Sequence, residues 1–308
     1  MKRENVVGRA NVDDTPELEA YYAALEGEAL GALWNVANEI EPWYPQPKSV
    51  PTLWKWKKVE PFVRRAPELV SAEKAARRVV MLVNPGRKEW SAAVGLLYTG
   101  VQVMNPGEFT SAHRHQASAL RFVMEGRGAY TVVDGERMTL GARDFVLTPN
   151  GTWHDHGVEA DGTQCVWQDG LDIPLMNSLD ANFYEVHPKI VQTPAPLSRE
   201  NWSKPYSPVF LYKWDESYKA LKKQQTFDYS NPVTGGPVMP TMGARLELVK
   251  TDMKPLRHTG SVIYQVATGR GWSEVGDQRF AFEAAVVRLE LWRVLDVGAP
   301  DDVLALHG

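Results

Sequence analysis
The chain contains a single cysteine, Cys165, so no intramolecular disulfide can form; the sequence fits a reducing compartment, with the cytoplasm as the expected location. It also lacks any run of about 18 apolar residues, which argues against a membrane-spanning helix. The first residues, MKRENVVGRANVDD, hold no apolar stretch of the kind that heads a secreted chain. Nor is there an excess of either charge. With 34 Lys and Arg against 38 Asp and Glu, the net charge is −4, a balance that suggests neither nucleic acid nor a membrane surface as partner. What remains is a chain of 308 residues, 44% of them hydrophobic, enough to bury the core of one large domain or two modest ones.

From Thr15 to Glu41 the pattern predicts helix. Asp14 or Thr15 can cap it, Pro16 suits the first turn, and Glu17 and Glu19 complement the dipole. Leu18, Tyr21, Tyr22, Leu25, Leu30, Leu33 and Trp34 form an apolar stripe that must pack on the chain's own barrel or on a neighbouring subunit. Repeated prolines between Glu41 and Pro61 predict an extended connector without regular helix. A β-rich block follows from Val79 to Trp167, in short runs such as RFVMEGRG, AYTVVDGERMTL and ARDFVLTP punctuated by turn residues, the pattern of a sandwich or barrel. A mixed segment from Asp169 to Pro240 separates it from a second β-rich block. Placing Gly126–Gly128 over Gly269–Gly271 sets Val123 on Val266, Asp134 on Asp277 and His115 on His258, so the second block repeats the first. The expected organisation is an N-terminal helix and connector over 1–78, a first barrel over 79–175, a linker over 176–240 and a second barrel over 241–308.

The chemistry concentrates in the first copy. His113 and His115 stand two apart, so on a strand both imidazoles point to one side. Pro149, Gly151 and His154 supply a turn and a third imidazole. Three neutral imidazoles on one face of a metal leave positions open, the logic of a non-haem iron site; a structural pair or a zinc site is the alternative for two histidines alone. His156 points the same way as His154, either as a fourth ligand or as a hydrogen-bonding group beside the metal. Arg121 falls where its fork could receive a carboxylate bidentately. Arg77 or Arg78 could add a second positive group, and strand alternation does not say which. Gln102 lies on a predicted strand. Asp169 and Asp172 could hold an arginine or histidine, or form a turn. Tyr98 and Cys165 are most simply packing residues. The second copy carries Leu256 for His113, His258 for His115 and Val297 for His154, so no metal site is expected there, and from Ala284 onward nothing matches a closing strand.

These spacings resemble the two motifs of the cupin superfamily. The stretches HRHQASALRFVMEGRGAYTVVDGE, PNGTWHDHG and WQDGLDIP resemble the gentisate 1,2-dioxygenase family, which includes salicylate and 1-hydroxy-2-naphthoate dioxygenases, and the likeness runs from the N-terminal helix to about Phe282. The resemblance implies an all-β-dominated bicupin of two jelly-roll-like barrels with an N-terminal helical segment. It implies Fe(II) on His113, His115 and His154, with Arg121 standing where many cupins place a ligating Glu. His156 and Gln102 would then face substrate, beside Arg77 and Asp169. The implied substrates are O2 and a small aromatic hydroxy acid, gentisate first, opened to maleylpyruvate; salicylate and 1-hydroxy-2-naphthoate are the alternatives. A homotetramer is expected. Arg143, where many cupins have Gly, is assigned to a surface turn. The readings from other classes are a barrel that isomerises or decarboxylates a small acid with another metal, and a non-catalytic ligand-binding cupin, which would need no open metal site.

Overall fold
The structure, a computed structural model, describes residues 15–193, 208–249, 260–292 and 305–307. Two compact units divide the chain, Met1–Pro47 and Lys48–Gly308. In the first, the expected long helix is broken into α1 (Pro16–Gly27) and α2 (Leu33–Ile40). The Thr15 hydroxyl caps α1, accepting the Leu18 N–H at 3.2 Å. Gly27 and Gly31, each costing about 1 kcal/mol relative to Ala in a helix interior, flank the break, and Ala29 turns left-handed at φ 56°. The Trp34 indole donates to the Tyr22 hydroxyl at 2.9 Å and ties the two helices together.

The second unit opens with a further departure from expectation: α3 (Trp56–Leu69) is regular helix despite Pro61 and Pro67 within it. Its amphipathic face is the reason. Val63 is fully buried among Val101, Val103 and Val166, with Val59 and Ala66 beside it, and Arg64 donates to Gln164 at 2.6 Å and to Glu125. Tertiary burial thus outweighs the lost helical bonds. After the single turn α4 (Ala72–Ala75) the chain enters the strands β1 (Val79–Met81), β2 (Tyr98–Met104), β3 (His113–His115), β4 (Ala119–Glu125), β5 (Ala129–Val133), β6 (Glu136–Leu140), β7 (Phe145–Thr148), β8 (His154–Val158) and β9 (Cys165–Leu171). Then come α5 (Ile173–Ser178), β10 (Tyr184–Val186), β11 (Leu211–Tyr212) and α6 (Trp214–Leu221).

These strands build two antiparallel sheets, β1-β2-β9-β4-β7-β11 and β10-β3-β8-β5-β6. Strand alternation sorts the side chains of the first sheet. Arg121 and Val123 of β4 face the interior, while Leu120 and Phe122 face outward and join Phe145 and Leu147. The interior is divided. One part is apolar, with Met104, Val123, Met138, Leu140, Val146 and Val158; the other buries His113, His115, His154, His156, Arg121, Gln102 and Asp169.

The outward face of β4 and β7 packs on a third sheet, β12 (Thr226–Tyr229), β13 (Gly243–Leu248), β14 (Val262–Val275), β15 (Gln278–Trp292) and β16 (Ala305–His307), in the order β12-β13-β15-β14-β16. Leu246, Met242, Tyr229 and Ile263 meet Leu120 and Phe122 there. The repeat is visible in the backbone. In the first copy the chain crosses between sheets at Gly126–Gly128, with φ 108° and 88°, separating β4 from β5. In the second copy the same register runs on as one strand, β14, with only an irregularity near Thr268, and β15 likewise continues where β6 and β7 separate. Among the described residues the second copy therefore forms a single sheet rather than a pair. Asp14, Leu256, His258 and Val297 lie outside the described residues.

Two glycines of positive φ, one at this crossing and one in the turn between β14 and β15, differ in their surroundings. A Cβ on Gly126 would lie 2.5–2.7 Å from the Cys165 side chain and the backbone of Gln164 and Cys165, at a φ of 108°. At Gly276, φ 63°, it would meet nothing. Gly126→Ala is expected to destabilise by more than the roughly 1–3 kcal/mol of backbone strain alone, and Gly276→Ala by about 1 kcal/mol, as read by urea unfolding. Equal losses would contradict the crossing assigned to Gly126.

Candidate functional site
Two strands of the second sheet and the turn between β7 and β8 bring three histidines together. His113 and His154 are cross-strand partners in the β3–β8 ladder. Their ring centroids stand 4.2 Å apart, with His115 at 4.7 Å from His154 and 5.6 Å from His113. One nitrogen from each lies within 4.8 Å of the others, which makes this a possible metal-holding group.

Each ring is fixed in the same way. Nδ1 of His113 lies 2.7 Å from the Ser111 carbonyl, Nδ1 of His115 2.7 Å from the Ala117 carbonyl, and Nδ1 of His154 3.0 Å from the Thr152 carbonyl. A carbonyl only accepts, so each Nδ1 carries the proton and each Nε2 keeps its lone pair. His113 Nε2 is buried with no partner in the chain. Burial pushes the His113 pKa down to about 3 and that of His115 to about 4, helped by the positive charges of Arg77 and Arg121. Burial also holds His154 well below its ordinary value, with His113 and His115 adding to it. The rings are neutral at physiological pH, the form that ligates metal. This donor set fits a divalent transition metal.

Around the histidines lie the other residues singled out from the sequence. Arg121 and Asp169 are cross-strand partners in the β4–β9 ladder, and Arg121 Nε donates to Asp169 Oδ1 at 2.7 Å, both side chains buried. The Arg121 fork is therefore already half used: Nε is spent on Asp169, and Nη1 is buried without a partner. Burial raises the Asp169 pKa above its ordinary range, with the Arg121 charge opposing the shift.

His156 is outside the three-histidine group. Its Nε2 lies 3.1 Å from Gln102 Nε2, and its Nδ1 is buried with no partner in the chain. Of the two readings left open for it, a fourth ligand and a hydrogen-bonding group, the geometry leaves the second. Gln102, expected to face substrate, has both ends of its amide engaged, on His156 and on the Trp167 indole at 3.3 Å.

The choice between Arg77 and Arg78 is decided by the fold. Arg78 is turned away from the histidines, donating to Glu108 and to the carbonyls of Val70 and Val103. Arg77 lies over the Tyr184 ring at 5.4 Å, and its charge reaches His113, His115, His156 and Asp169. Asp172 is structural: it accepts the Ser118 N–H at 2.7 Å and the Thr241 hydroxyl. Tyr98 borders the site, its hydroxyl pushed up to about 12 by burial and by the Asp169 charge. Arg143 is an exposed residue at φ 68° in the turn between β6 and β7.

Two neighbours were not anticipated. Trp167 stands two residues before Asp169 on the same strand face, so the alternation that selects Asp169 could have found it. Tyr184 stacks on His113 with centroids 5.3 Å apart; it arrives on edge strand β10, and no local pattern announces it.

Comparison with known proteins follows the same lines. The Cupin domain family matches residues 100–174, the stretch that contains all four histidines. Gentisate 1,2 dioxygenase 1 of Aquipseudomonas alcaligenes is 34% identical over 300 residues, covering 88% of this chain and 85% of that protein. The 1-hydroxy-2-naphthoate 1,2-dioxygenase of Nocardioides sp. (strain KP7) is 35% identical over 277 residues, covering 80% and 71%. The crystal structure of a mutant salicylate 1,2-dioxygenase from Pseudoaminobacter salicylatoxidans, in complex with gentisate, superposes with a TM-score of 0.82 at 28% identity, covering 95% of this chain and 94% of that one. In fold, in motif and over most of its length, the chain belongs to the gentisate 1,2-dioxygenase family of cupin ring-cleaving oxidoreductases, which incorporate both atoms of O2.

Proposed function
We propose that this protein is an Fe(II)-dependent dioxygenase that opens gentisate (2,5-dihydroxybenzoate) with O2 to maleylpyruvate, and that His113, His115 and His154 hold the iron. One observation carries the reading: three buried neutral imidazoles converge, each with Nδ1 anchored on a backbone carbonyl and Nε2 left to donate. Iron, when bound there, supplies the electronic step that lets O2 react with a closed-shell ring.

The chain's own residues bind and orient. Arg121 receives the substrate carboxylate through the Nη edge that Asp169 leaves unused, and Asp169 keeps the guanidinium from turning. His156 donates a hydrogen bond from its Nδ1–H to oxygen that gains negative charge as the ring is attacked. Gln102 acts through His156, and Arg77 adds a second positive group that favours an acid over a neutral ring. The bond broken lies between the carboxyl-bearing carbon and the adjacent hydroxyl-bearing carbon. We further propose that the protein is cytoplasmic and works as a homo-oligomer, a tetramer by family resemblance. Assembly would cover apolar side chains such as Leu30, Leu33 and Ile40, each more than half exposed in this chain. No helix among the described residues is long and apolar enough to cross a membrane.

The test is oxygen consumption with gentisate after anaerobic loading with Fe(II), with maleylpyruvate followed as product. Turnover of salicylate or 1-hydroxy-2-naphthoate in place of gentisate would move the substrate assignment within the family. No oxygen uptake with any of the three would refute the reading.

Metal analysis of the loaded protein is expected to give one tightly held iron per chain. His113→Ala, His115→Ala or His154→Ala should each abolish or severely reduce retention, whereas His258→Ala should not. Two irons per chain would contradict the assignment.

For Arg121 the informative variant is Lys. Arg121→Ala strands a buried Asp169, at a cost of about 3–5 kcal/mol in stability that would obscure any effect on binding. Arg121→Lys keeps the positive charge beside Asp169 and loses the fork. It should retain iron yet weaken gentisate binding by roughly ten- to hundred-fold, the ~1.5–3 kcal/mol of a charged hydrogen bond, measured anaerobically by calorimetry. The amide analogue of the acid should separate wild type from Arg121→Lys far less. Unchanged affinity for the acid would shift its partner to Arg77.

A further inference from the structure
We propose that Trp167 is a positioning residue for the ring-cleaving reaction: its indole N–H fixes which end of the Gln102 amide faces His156, and thereby which nitrogen of His156 carries the proton. The argument is one of donors and acceptors. An indole nitrogen donates and cannot accept, so the Gln102 atom 3.3 Å from Trp167 Nε1 is the carbonyl oxygen. The amide is planar, and its NH2 is then the end that lies 3.1 Å from His156 Nε2. An NH2 group offers no acceptor. His156 Nε2 must therefore accept, and the single proton of the neutral ring is left on Nδ1, the buried atom without a partner in the chain.

The packing leaves Trp167 little freedom. It is fully buried, its ring stands edge-on to His156 at 5.5 Å, and the Arg121 guanidinium lies 5.1 Å from it. The ladder fixes its place: Trp167 is the cross-strand partner of Gln102 on one side and of Val123 on the other. A buried polar chain thus runs from Trp167 through Gln102 to His156, with the Arg121–Asp169 pair beside it. Without the indole N–H nothing distinguishes the two ends of the Gln102 amide. A half-turn of that amide would present its oxygen to His156, draw the proton to Nε2 and leave a bare lone pair on Nδ1, which would repel a charged oxygen instead of stabilising it. What the Nδ1 proton does in turnover rests on the function proposed above; where the proton sits does not.

The experiment is nitrogen–proton correlation NMR on the full-length, metal-free protein labelled with 15N-histidine at neutral pH, with His156 signals identified as those lost in His156→Gln. Wild type is expected to carry the His156 proton on Nδ1. In Trp167→Phe that preference should be lost, with a substantial share of the proton appearing on Nε2. Replacing Trp167 with 3-benzothienylalanine, which keeps the bicyclic shape and lacks the N–H, should do the same and serves if the Phe variant fails to fold. A wild-type proton on Nε2, or an Nδ1 proton that persists when the indole N–H is removed, would overturn the proposal. The readout needs neither iron nor turnover, so a failure of the dioxygenase reading would leave it unaffected.

Discussion
The site depends on the register of β9 between β2 and β4. Residues directly opposite in an antiparallel pair hold their side chains roughly 4.5–5.5 Å apart, close enough to bond without further help from the fold. That register sets Asp169 against Gly100 on one side and Arg121 on the other, and Trp167 against Gln102 and Val123. The ion pair and the indole–amide bond follow directly from it. A slip of β4 by one residue would turn Arg121 out to the face where Leu120 and Phe122 meet the third sheet, and bury a leucine among histidines. The third sheet thus supports the site from behind, because its packing on Leu120, Phe122, Phe145 and Leu147 makes such a slip costly.

Electrostatics in the pocket run in one direction. Arg121 and Arg77 place positive charge beside buried imidazoles, and together with burial this keeps the rings neutral, their Nε2 lone pairs available to a metal. The same charges suit an organic acid. Metal readiness and anion affinity therefore arise from one arrangement and do not compete. Asp169 moderates it: burial alone would favour its protonated form, and Arg121 at 2.7 Å opposes that while being held in place. A buried pair of this kind gives orientation more than stability.

Much of this was legible in the sequence, for a particular reason. Strand alternation has period two, so His113 with His115, His154 with His156, and Arg121 with Val123 each declare a shared face without knowledge of the partner strand. The two GRG stretches declared only the register of the repeat; that the chain crosses between sheets at Gly126, at φ 108° against the Cys165 backbone, and runs on through Gly269, at φ 102°, was left to the fold. Local rules failed where long-range packing overrides them. Prolines argued against α3, yet a buried Val63 holds that helix; the stripe from Leu18 to Trp34 argued for one helix, and the break at Gly27–Gly31 divides it.

By itself, then, the sequence determined a β-rich sandwich or barrel and the shared faces of His113 with His115 and of His154 with His156, since these rest on periodicity and turn chemistry within a few residues of chain. Only the tertiary structure decided what each polar atom touches. It set Arg77 over Tyr184 and Arg78 on Glu108, spent one arm of Arg121 on Asp169, and set Gln102 between Trp167 and His156. It also brought Tyr184 onto His113 from an edge strand about 70 residues further along the chain. Such pairings depend on which strands lie side by side and in what register, and that is settled by the packing of three sheets together, which no stretch of a few residues encodes.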